Sequence, residues 1–399
     1  MADAGDRRPG RRRVRRWRVR DRRRSDPAHA LLATDDSWRP RPGDPPASRR
    51  RRDVRPRRRA AGAVSTGTTG RAHAAVLAVD GGNSKADVAL VAGDGTLLAF
   101  ARGPSISHQA VGLERGMANL AALTREAAGT AATPIADVAV YCLAGADLPS
   151  DVRLLRRGIG RLGLTPELEV LNDTFAVLRA GSHRPWGIGL VCGQGINGAG
   201  VAPDGRTARF DGLGPISGDW GGGGGLGGDA IAAAVRGQDR RGPRTILERL
   251  VPEHFGHRTP LALSRALYLG RLDDVRLSSL APVVFGAAVG GDAVARRIVD
   301  RLADELVAMA SALLRRLRLT RLDPDVVLGG GIFGTDDPAF YARIETGVRE
   351  VAPAAMIVRL AAVPVLGAAL IGLDRRSPTG AAEPATAERL RAALAEYAG

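Results

Sequence analysis

The chain has 399 residues and a formal net charge of +16, but residues 1–70 hold 22 Arg and 8 Asp and carry +14 of it. The rest is almost neutral, so the charge does not indicate a nucleic-acid-binding domain. The chain has two cysteines and no CxxC pair, which gives no support for a disulfide framework, a zinc site or an iron–sulfur cluster. It contains no run of 18 apolar residues, so no transmembrane helix is predicted. We therefore expect a cytoplasmic protein with no membrane partner.

Residues 1–73 form an Arg-rich tail with almost no apolar periodicity. Such a composition cannot bury a core, so the tail is predicted to be disordered. Three interpretations stay open: an electrostatic arm for nucleic acid, a targeting peptide, and an upstream frame included by a misplaced start. We favour the last, because 57 Arg against one Lys indicates a GC-rich gene, and a GTG start at Val64 would remove the basic stretch. Nucleic acid is therefore not an expected partner.

Residues 74–185 are predicted to form an N-terminal lobe of alternating strands and helices. Apolar runs at 74–79 and 86–91 flank a turn that contains an aspartate, two glycines and a serine, which predicts a hairpin. The glycines let backbone N–H groups approach anionic oxygens, and Asp80 can hold Mg²⁺ directly or through water. The turn therefore predicts a phosphate loop. The elements that follow are a strand at 96–101, helices at 109–129 and 148–162, strands at 138–143 and 168–171, and a helix from Phe175.

Residues 186–375 repeat this pattern about 110 residues later, as a C-terminal lobe. Strands at 188–192 and 198–202 flank a second glycine turn, and each copy continues into an Asp-Gly turn, at 94–95 and 204–205. Most of 229–320 is predicted to be helical, and strands follow at 326–328 and 356–360. Residues 376–399 are predicted to be a linker and a C-terminal helix. The duplication indicates two related α/β lobes around a cleft.

Five segments together resemble one family: 77–90, 171–178, 191–198, 214–224 and 326–334. The chain from about 74 to 373 is similar to the BadF/BadG/BcrA/BcrD-type ATPases, and within them to N-acetylglucosamine kinases of the actin-like ATPase superfamily. The resemblance implies an α/β fold with two ribonuclease H-like lobes around a central cleft. It also implies ATP and Mg²⁺ as cofactors, with Mg²⁺ at Asp80.

The resemblance assigns roles to residues of both lobes. Asp173 takes the place of the general base, although Asn172-Asp173-Thr174 also fits the N-cap of the following helix. Sugar contacts are implied for Ser107, His108, Asn172, Gly214 and Asp219. ATP and phosphate contacts are implied for Asp80, Gly81, Gly82, Asn83, Ser84, Lys85, Gly193, Gln194, Gly195, Asn197, Gly329, Gly330 and Gly331.

Several residues depart from the family pattern or allow two interpretations. Ser107 stands where relatives often have Asn, and Gln194 where they have Thr or a small residue. Lys85 contacts phosphate or points to solvent. Trp220 stacks on a sugar or anchors its loop. The run 221–225 is expected to be flexible without ligand.

The expected activity is ATP-dependent phosphorylation of an amino sugar, with N-acetylglucosamine 6-phosphate as the first product to test. Glucosamine or another hexose is the alternative substrate, and a non-catalytic sugar sensor is the alternative function. Dehydratase-activator ATPases and zinc-containing glucokinases are disfavoured, because the cysteines that they need are missing. A small-molecule sugar and ATP are the expected partners. The oligomeric state stays open, with a homodimer as the form that the resemblance suggests, since relatives are commonly dimers.

Overall fold

The computed structural model describes residues 73–397, apart from the side chains of Asp274 and Val275. The predicted tail and the alternative start at Val64 lie outside the described residues. The strands are β1 (Ala74–Gly81), β2 (Lys85–Val91), β3 (Leu97–Pro104), β4 (Ala136–Leu143), β5 (Glu167–Asn172), β6 (Gly187–Cys192), β7 (Ile196–Val201), β8 (Thr207–Arg209), β9 (Asp325–Gly329) and β10 (Met356–Arg359). The helices are α1 (His108–Val111), α2 (Leu113–Ala128), α3 (Pro149–Gly160), α4 (Asp173–Gly181), α5 (Gly222–Gln238), α6 (Leu247–His254), α7 (Pro260–Tyr268), α8 (Ala281–Val289), α9 (Ala293–Arg316), α10 (Pro338–Val351), α11 (Val365–Arg376) and α12 (Pro384–Ala395).

Two five-stranded sheets share one topology. The first has the order β3-β2-β1-β4-β5 and the second the order β10-β9-β6-β7-β8. In each sheet the first three strands in sequence form an antiparallel meander, and the next two extend the sheet in parallel from the first strand. The repeat predicted from two glycine hairpins is therefore a repeat of a whole sheet. The domain boundaries at 185/186 and 375/376 stay predictions.

Helices α4 and α11 lie between the two sheets. Helix α11 packs on β1 and β4, helix α4 packs on β6 and β9, and the two helices contact each other. At their crossing a Cβ on Gly367 would lie 1.9 Å from the carbonyl oxygen of Ala176, so the helices approach this closely only with glycine there. The buried guanidinium of Arg179 binds both carboxylate oxygens of Asp374, at 2.7 and 3.0 Å. This helix pair joins the lobes.

Helical packing covers the outer faces of both sheets. Helix α2 packs on β2 and β3, and helices α5 to α10 enclose a large apolar core beside the second sheet. The predicted C-terminal helix is present as α12 and contacts α11 and β3. Among residues 73–397, no single helix combines the length and apolar composition of a membrane span, although the bent pair Arg276–Val289 and Ala293–Arg316 meets those criteria together.

Two helix boundaries differ from the prediction for local reasons. The helix predicted over 109–129 is divided into α1 and α2 by Gly112, whose φ is +82°. Helix α4 begins at Asp173, two residues before the predicted start at Phe175. It does so because the side chain of Asn172 accepts a hydrogen bond from the N–H of Thr174 at 3.1 Å. The first helical residue is therefore the predicted general base.

Candidate active site

The carboxyl ends of three parallel strands meet at one edge of the first sheet. Asp80 in β1 lies opposite Cys142 in β4, and Leu143 at the end of β4 lies opposite Asn172 at the end of β5. The ends of these strands therefore lie side by side, and they bring together Asp80, the loop after β4, and Asp173. In α/β sheets this edge is where ligands usually bind.

The carboxylates at this edge have raised pKa values. Burial, followed by the charge of Asp173, raises the pKa of Asp80 well above its ordinary value. Burial, followed by the charge of Asp147, raises the pKa of Asp173 to about 6, against the opposing effect of backbone N–H groups at the start of α4. The site thus concentrates negative charge in a partly buried place. A cation bound there would offset that charge.

The first glycine hairpin presents its tip to solvent. The N–H of Gly82 donates to the carbonyl of Lys85 at 2.9 Å, and Asn83, Ser84 and Lys85 are exposed. Gly81 is buried, and a Cβ there would lie 2.6 Å from the Leu143 side chain. Lys85 is near enough to lower the pKa of Asp80. Lys85 is exposed in this structure, and its contact with phosphate stays a prediction.

The second hairpin is held by the first turn of α5. The N–H of Gly193 donates to the carbonyl of Gly195 at 2.9 Å, and the N–H groups of Gly223 and Gly224 donate to the carbonyls of Gly193 and Gln194 at 2.8 and 2.9 Å. A Cβ on Gly193 or Gly195 would meet nothing within 4 Å. This bare backbone therefore borders open space, as a loop that accommodates phosphate oxygens must. Gln194 is exposed at the tip.

The prediction that 221–225 is flexible was wrong. Residues Gly222 to Gly225 form the first turn of α5, and Gly222 and Gly223 pack where a side chain would not fit. A Cβ on Gly223 would lie 2.9 Å from Ser278, and one on Gly222 would lie 2.5 Å from the carbonyl oxygen of Gln194. Tertiary packing therefore outweighs the low helix propensity of glycine.

Of the predicted nucleoside glycines, Gly330 packs against the second hairpin and Gly329 against Val177. Gly330 has a φ of +107°, and a Cβ there would lie 2.4 Å from the carbonyl oxygen of Cys192, whereas a Cβ on Gly331 would meet nothing. Sequence reasoning missed two neighbours of this segment. The Tyr341 hydroxyl donates to the carbonyl of Phe333 at 2.6 Å, and the Arg359 guanidinium lies 4.2 Å from the centroid of the Tyr341 ring. Arg359 is the last residue of β10, which pairs in parallel with β9. Its place near the end of the strand predicted at 356–360 was the signal that the sequence offered.

On the sugar side, Ser107 and His108 lie at the start of α1. Ser107 is 3% exposed, and its hydroxyl caps α1 by accepting from the N–H of Ala110 at 3.3 Å. The Nδ1 atom of His108 is buried and has no hydrogen-bond partner among the described residues. The same segment is tied to the first hairpin, because the Ser105 hydroxyl donates to the carbonyl of Gly82 at 2.9 Å.

Asp219 lies in a closely hydrogen-bonded loop of the second lobe. Its N–H donates to the carbonyl of Gly214 at 3.0 Å, and its carboxylate accepts from the hydroxyl of Ser217. The next residue, Trp220, is covered by the guanidinium of Arg301 at 3.8 Å from the ring centroid. Of the two interpretations of Trp220, the structure favours a loop anchor.

Asp147, which sequence reasoning missed, lies between the lobes. Asn172 donates to Asp147 Oδ1 at 2.9 Å, and Asn197 donates to the same oxygen at 3.4 Å. Asn197, predicted to contact phosphate, lies in β7 with its amide turned toward Asp147. Its sequence signal was weak, because an aspartate in the turn after a strand is common and its two partners are distant in sequence.

Comparison with known proteins gives the family. The model of the BadF/BadG/BcrA/BcrD ATPase family matches residues 77–372. The chain belongs to this family. A relative described as an N-acetylmuramic acid/N-acetylglucosamine kinase from Clostridium acetobutylicum is 30% identical over 260 residues, which is 64% of this chain and 85% of the relative. A relative described as an N-acetyl-D-glucosamine kinase from Dictyostelium discoideum is 24% identical over 314 residues, 75% of this chain and 98% of the relative.

Solved structures of similar proteins agree with the fold of this BadF/BadG-type ATPase. A Chromobacterium violaceum protein, provisionally named an N-acetylglucosamine kinase, is 25% identical with a TM-score of 0.57, over 75% of this chain and 98% of that one. A Porphyromonas gingivalis protein is 19% identical with a TM-score of 0.54, over 73% and 96%. The prediction of an α/β fold with two actin-like lobes is confirmed.

Proposed function

We propose that the protein transfers the γ-phosphoryl group of ATP to the 6-hydroxyl of N-acetylglucosamine, with Asp173 as the general base. The protein is an ATP-dependent carbohydrate kinase, and its family and the names of its relatives support that class. The observation that carries the proposal is the meeting of Asp80 and Asp173 at the carboxyl edge of the first sheet, with a pKa of about 6 for Asp173.

Asp173 has the properties that a base for a sugar hydroxyl requires. A carboxylate with a pKa of about 6 is mostly ionised at neutral pH, yet it binds a proton more strongly than an ordinary aspartate does. Its place at the N-terminus of α4 fixes its backbone, because Asn172 caps that helix. When a hydroxyl lies within hydrogen-bond reach, the carboxylate accepts its proton as the oxygen attacks phosphorus.

The glycine segments fit the phosphates and the nucleoside of ATP. Backbone at Gly193, Gly195 and Gly331 borders open space, which leaves room for anionic oxygens and for a ribose. The hairpin at Gly82 approaches from the other lobe. ATP held between the two would have its transferable group directed toward the carboxylate edge of the first sheet.

Magnesium fits the carboxylate edge of the site. Burial raises the pKa values of both Asp80 and Asp173, and the charge of Asp173 raises that of Asp80 further, so a dication at Asp80 would offset part of this cost. In residues 73–397 no group of three or more His, Cys, Asp or Glu side chains could hold a metal, so phosphate oxygens and water would complete the coordination. When bound, Mg²⁺ supplies charge neutralisation for the transferring phosphoryl group.

N-acetylglucosamine is the proposed acceptor because two relatives carry it in their names. Glucosamine and other hexoses are the alternatives, since Ser107 replaces the asparagine of the family and its hydroxyl caps α1. N-acetylmuramic acid is a further sugar to test, because the Clostridium relative carries it in its name. The homodimer and the cytoplasmic location stay predictions.

The test is an ADP-release assay on the purified protein with ATP and Mg²⁺ across these sugars. We expect turnover with N-acetylglucosamine to exceed turnover with glucosamine and glucose. A faster reaction with another sugar would replace the acceptor in the proposal. Sugar binding with no ADP release for any sugar would support the sensor function instead.

A further inference from the structure

Two asparagines, one from each lobe, point their amide groups at a single carboxylate oxygen. Asn172 stands at the end of β5 and Asn197 in β7, and both Nδ2 atoms donate to Asp147 Oδ1, at 2.9 and 3.4 Å. Asp147 is 8% exposed. A buried carboxylate shared by two side chains on separate sheets is placed to relate the positions of those sheets.

The carboxylate also determines what the opposite end of each amide does. An ionised aspartate accepts hydrogen bonds only, so each asparagine must turn its NH₂ group toward it. The Oδ1 of Asn172 is then directed at the N–H of Thr174, at 3.1 Å, where it caps α4. The Oδ1 of Asn197 is directed at the N–H of Gly198, at 2.7 Å. One acceptor therefore orients two amides, and each amide holds backbone beside a different part of the site.

The segments around this cluster are those that carry the proposed substrate contacts. Gln109 of α1 also donates to Asp147. Gly212, which opens the loop carrying Asp219, is so close that a Cβ would lie 2.5 Å from Asn197 Nδ2. The cluster therefore joins the sugar-side loop of each lobe to the residue that precedes the base.

We propose that Asp147 is a positioning residue, which holds Asp173 in place through Asn172 and couples it to the second lobe through Asn197. The proposal rests on the proposed function, in which Asp173 acts as the base. Asp147 itself takes no proton from the substrate. When its charge is removed, either amide can turn over, and the cap of α4 and the contact between the lobes are weakened together.

Electrostatics gives the proposal a second observable. Burial raises the pKa of Asp147 to about 6, against the hydrogen bond from Gln109 and the charge of Arg209, with smaller contributions from Asp151 and Asp211. The charge of Asp147 in turn raises the pKa of Asp173. Removing that charge must therefore lower the pKa of Asp173. A residue with only a structural role would not move this value.

The kinetic test compares Asp147→Asn with Asp211→Asn. Asp211 is exposed and contributes charge near Asp147 without a hydrogen bond to either asparagine among the described contacts. For Asp147→Asn we expect kcat to fall by about tenfold or more, with a smaller change in KM for ATP. We also expect the acidic limb of the plot of kcat against pH to move to lower pH. For Asp211→Asn we expect both to stay near wild type. An unmoved acidic limb in Asp147→Asn, or an equal shift in both variants, would overturn the proposal.

Hydrogen exchange tests the same claim without turnover. In Asp147→Asn the amides of Thr174 and Gly198, one in each lobe, should exchange faster at unchanged global stability, whereas Asp211→Asn should change neither. Protection retained at both amides would overturn the proposal even if the wild-type protein phosphorylates no sugar. If Asp147→Asn does not fold, the variant Asn197→Ser tests the proposal instead. The proposal requires its kcat to fall while its melting temperature stays within about 2 °C of the wild-type value.

Discussion

Replacing Asp173 by asparagine should abolish most activity and at the same time stabilise the protein. The substitution keeps the shape of the side chain and removes its charge. Loss of a general base typically lowers kcat by about 10² to 10⁴-fold. The stability gain follows from the pKa, because a buried carboxylate that resists ionisation destabilises the folded state once it is charged.

The magnitude follows from the pKa of Asp173, about 6 against an ordinary value of 3.8. One pKa unit corresponds to about 1.4 kcal/mol, so ionisation costs the folded state up to about 3 kcal/mol. Because the folded-state pKa of Asp173 is raised, the ionisation of this group costs no stability below pH 3.8. The cost develops as the pH rises through 6. The advantage of Asp173→Asn should thus be absent near pH 4 and reach about 1–3 kcal/mol at pH 8, or several degrees in Tm.

The assay combines thermal melts at pH 4.5 and pH 8 with coupled ADP release at pH 8. Asp239→Asn serves as the matched control, since Asp239 is an aspartate at the end of α5 whose carboxylate pairs with the neighbouring Arg241. We expect the control to keep wild-type turnover. Unchanged turnover in Asp173→Asn, or a Tm difference that does not grow with pH, would refute the reasoning about this carboxylate.

Further predictions concern pH, packing, nucleotide and metal. Wild-type kcat should fall about tenfold per pH unit below pH 6, as measured in a pH–rate profile, because the base becomes protonated. Gly227→Ala should lower stability by about 1–3 kcal/mol in urea unfolding, since its Cβ would lie 2.3 Å from the Leu277 carbonyl, whereas Gly228→Ala, with nothing within 4 Å, should be neutral or stabilising. Gly195→Ala should raise KM for ATP without changing Tm, because its Cβ meets no protein atom. Chelation of Mg²⁺ by EDTA should stop ADP release, and added Mg²⁺ should restore it.

The parts of the fold that sequence predicted well are those with strong local signals. The apolar strands on either side of each glycine turn are nearly continuous, so the two hairpins β1–β2 and β6–β7 followed from them. The repeated Asp-Gly turn at 94–95 and 204–205 indicated two related lobes. Asp173 was placed from the family resemblance together with a short apolar strand.

The parts that sequence missed depend on contacts between distant residues. Residues 221–225 were predicted to be flexible because glycine is a poor helix former. Nothing local shows that the second hairpin and Ser278 leave no room for a side chain at Gly222 and Gly223. Asp147 resembles any turn aspartate, since its partners Asn172 and Asn197 are 25 and 50 residues away. The sequence left sugar stacking open for Trp220, because Arg301, whose guanidinium covers its ring, is far along the chain.

The most direct test of the account is to identify the product. The purified protein is incubated with ATP, Mg²⁺ and N-acetylglucosamine, and the sugar is analysed by mass spectrometry and by phosphorus–proton correlation in NMR. The account predicts one phosphoryl group, attached to the 6-hydroxyl, and no such product with Asp173→Asn. A phosphoryl group at another hydroxyl, or the same product at the wild-type rate from Asp173→Asn, would contradict it.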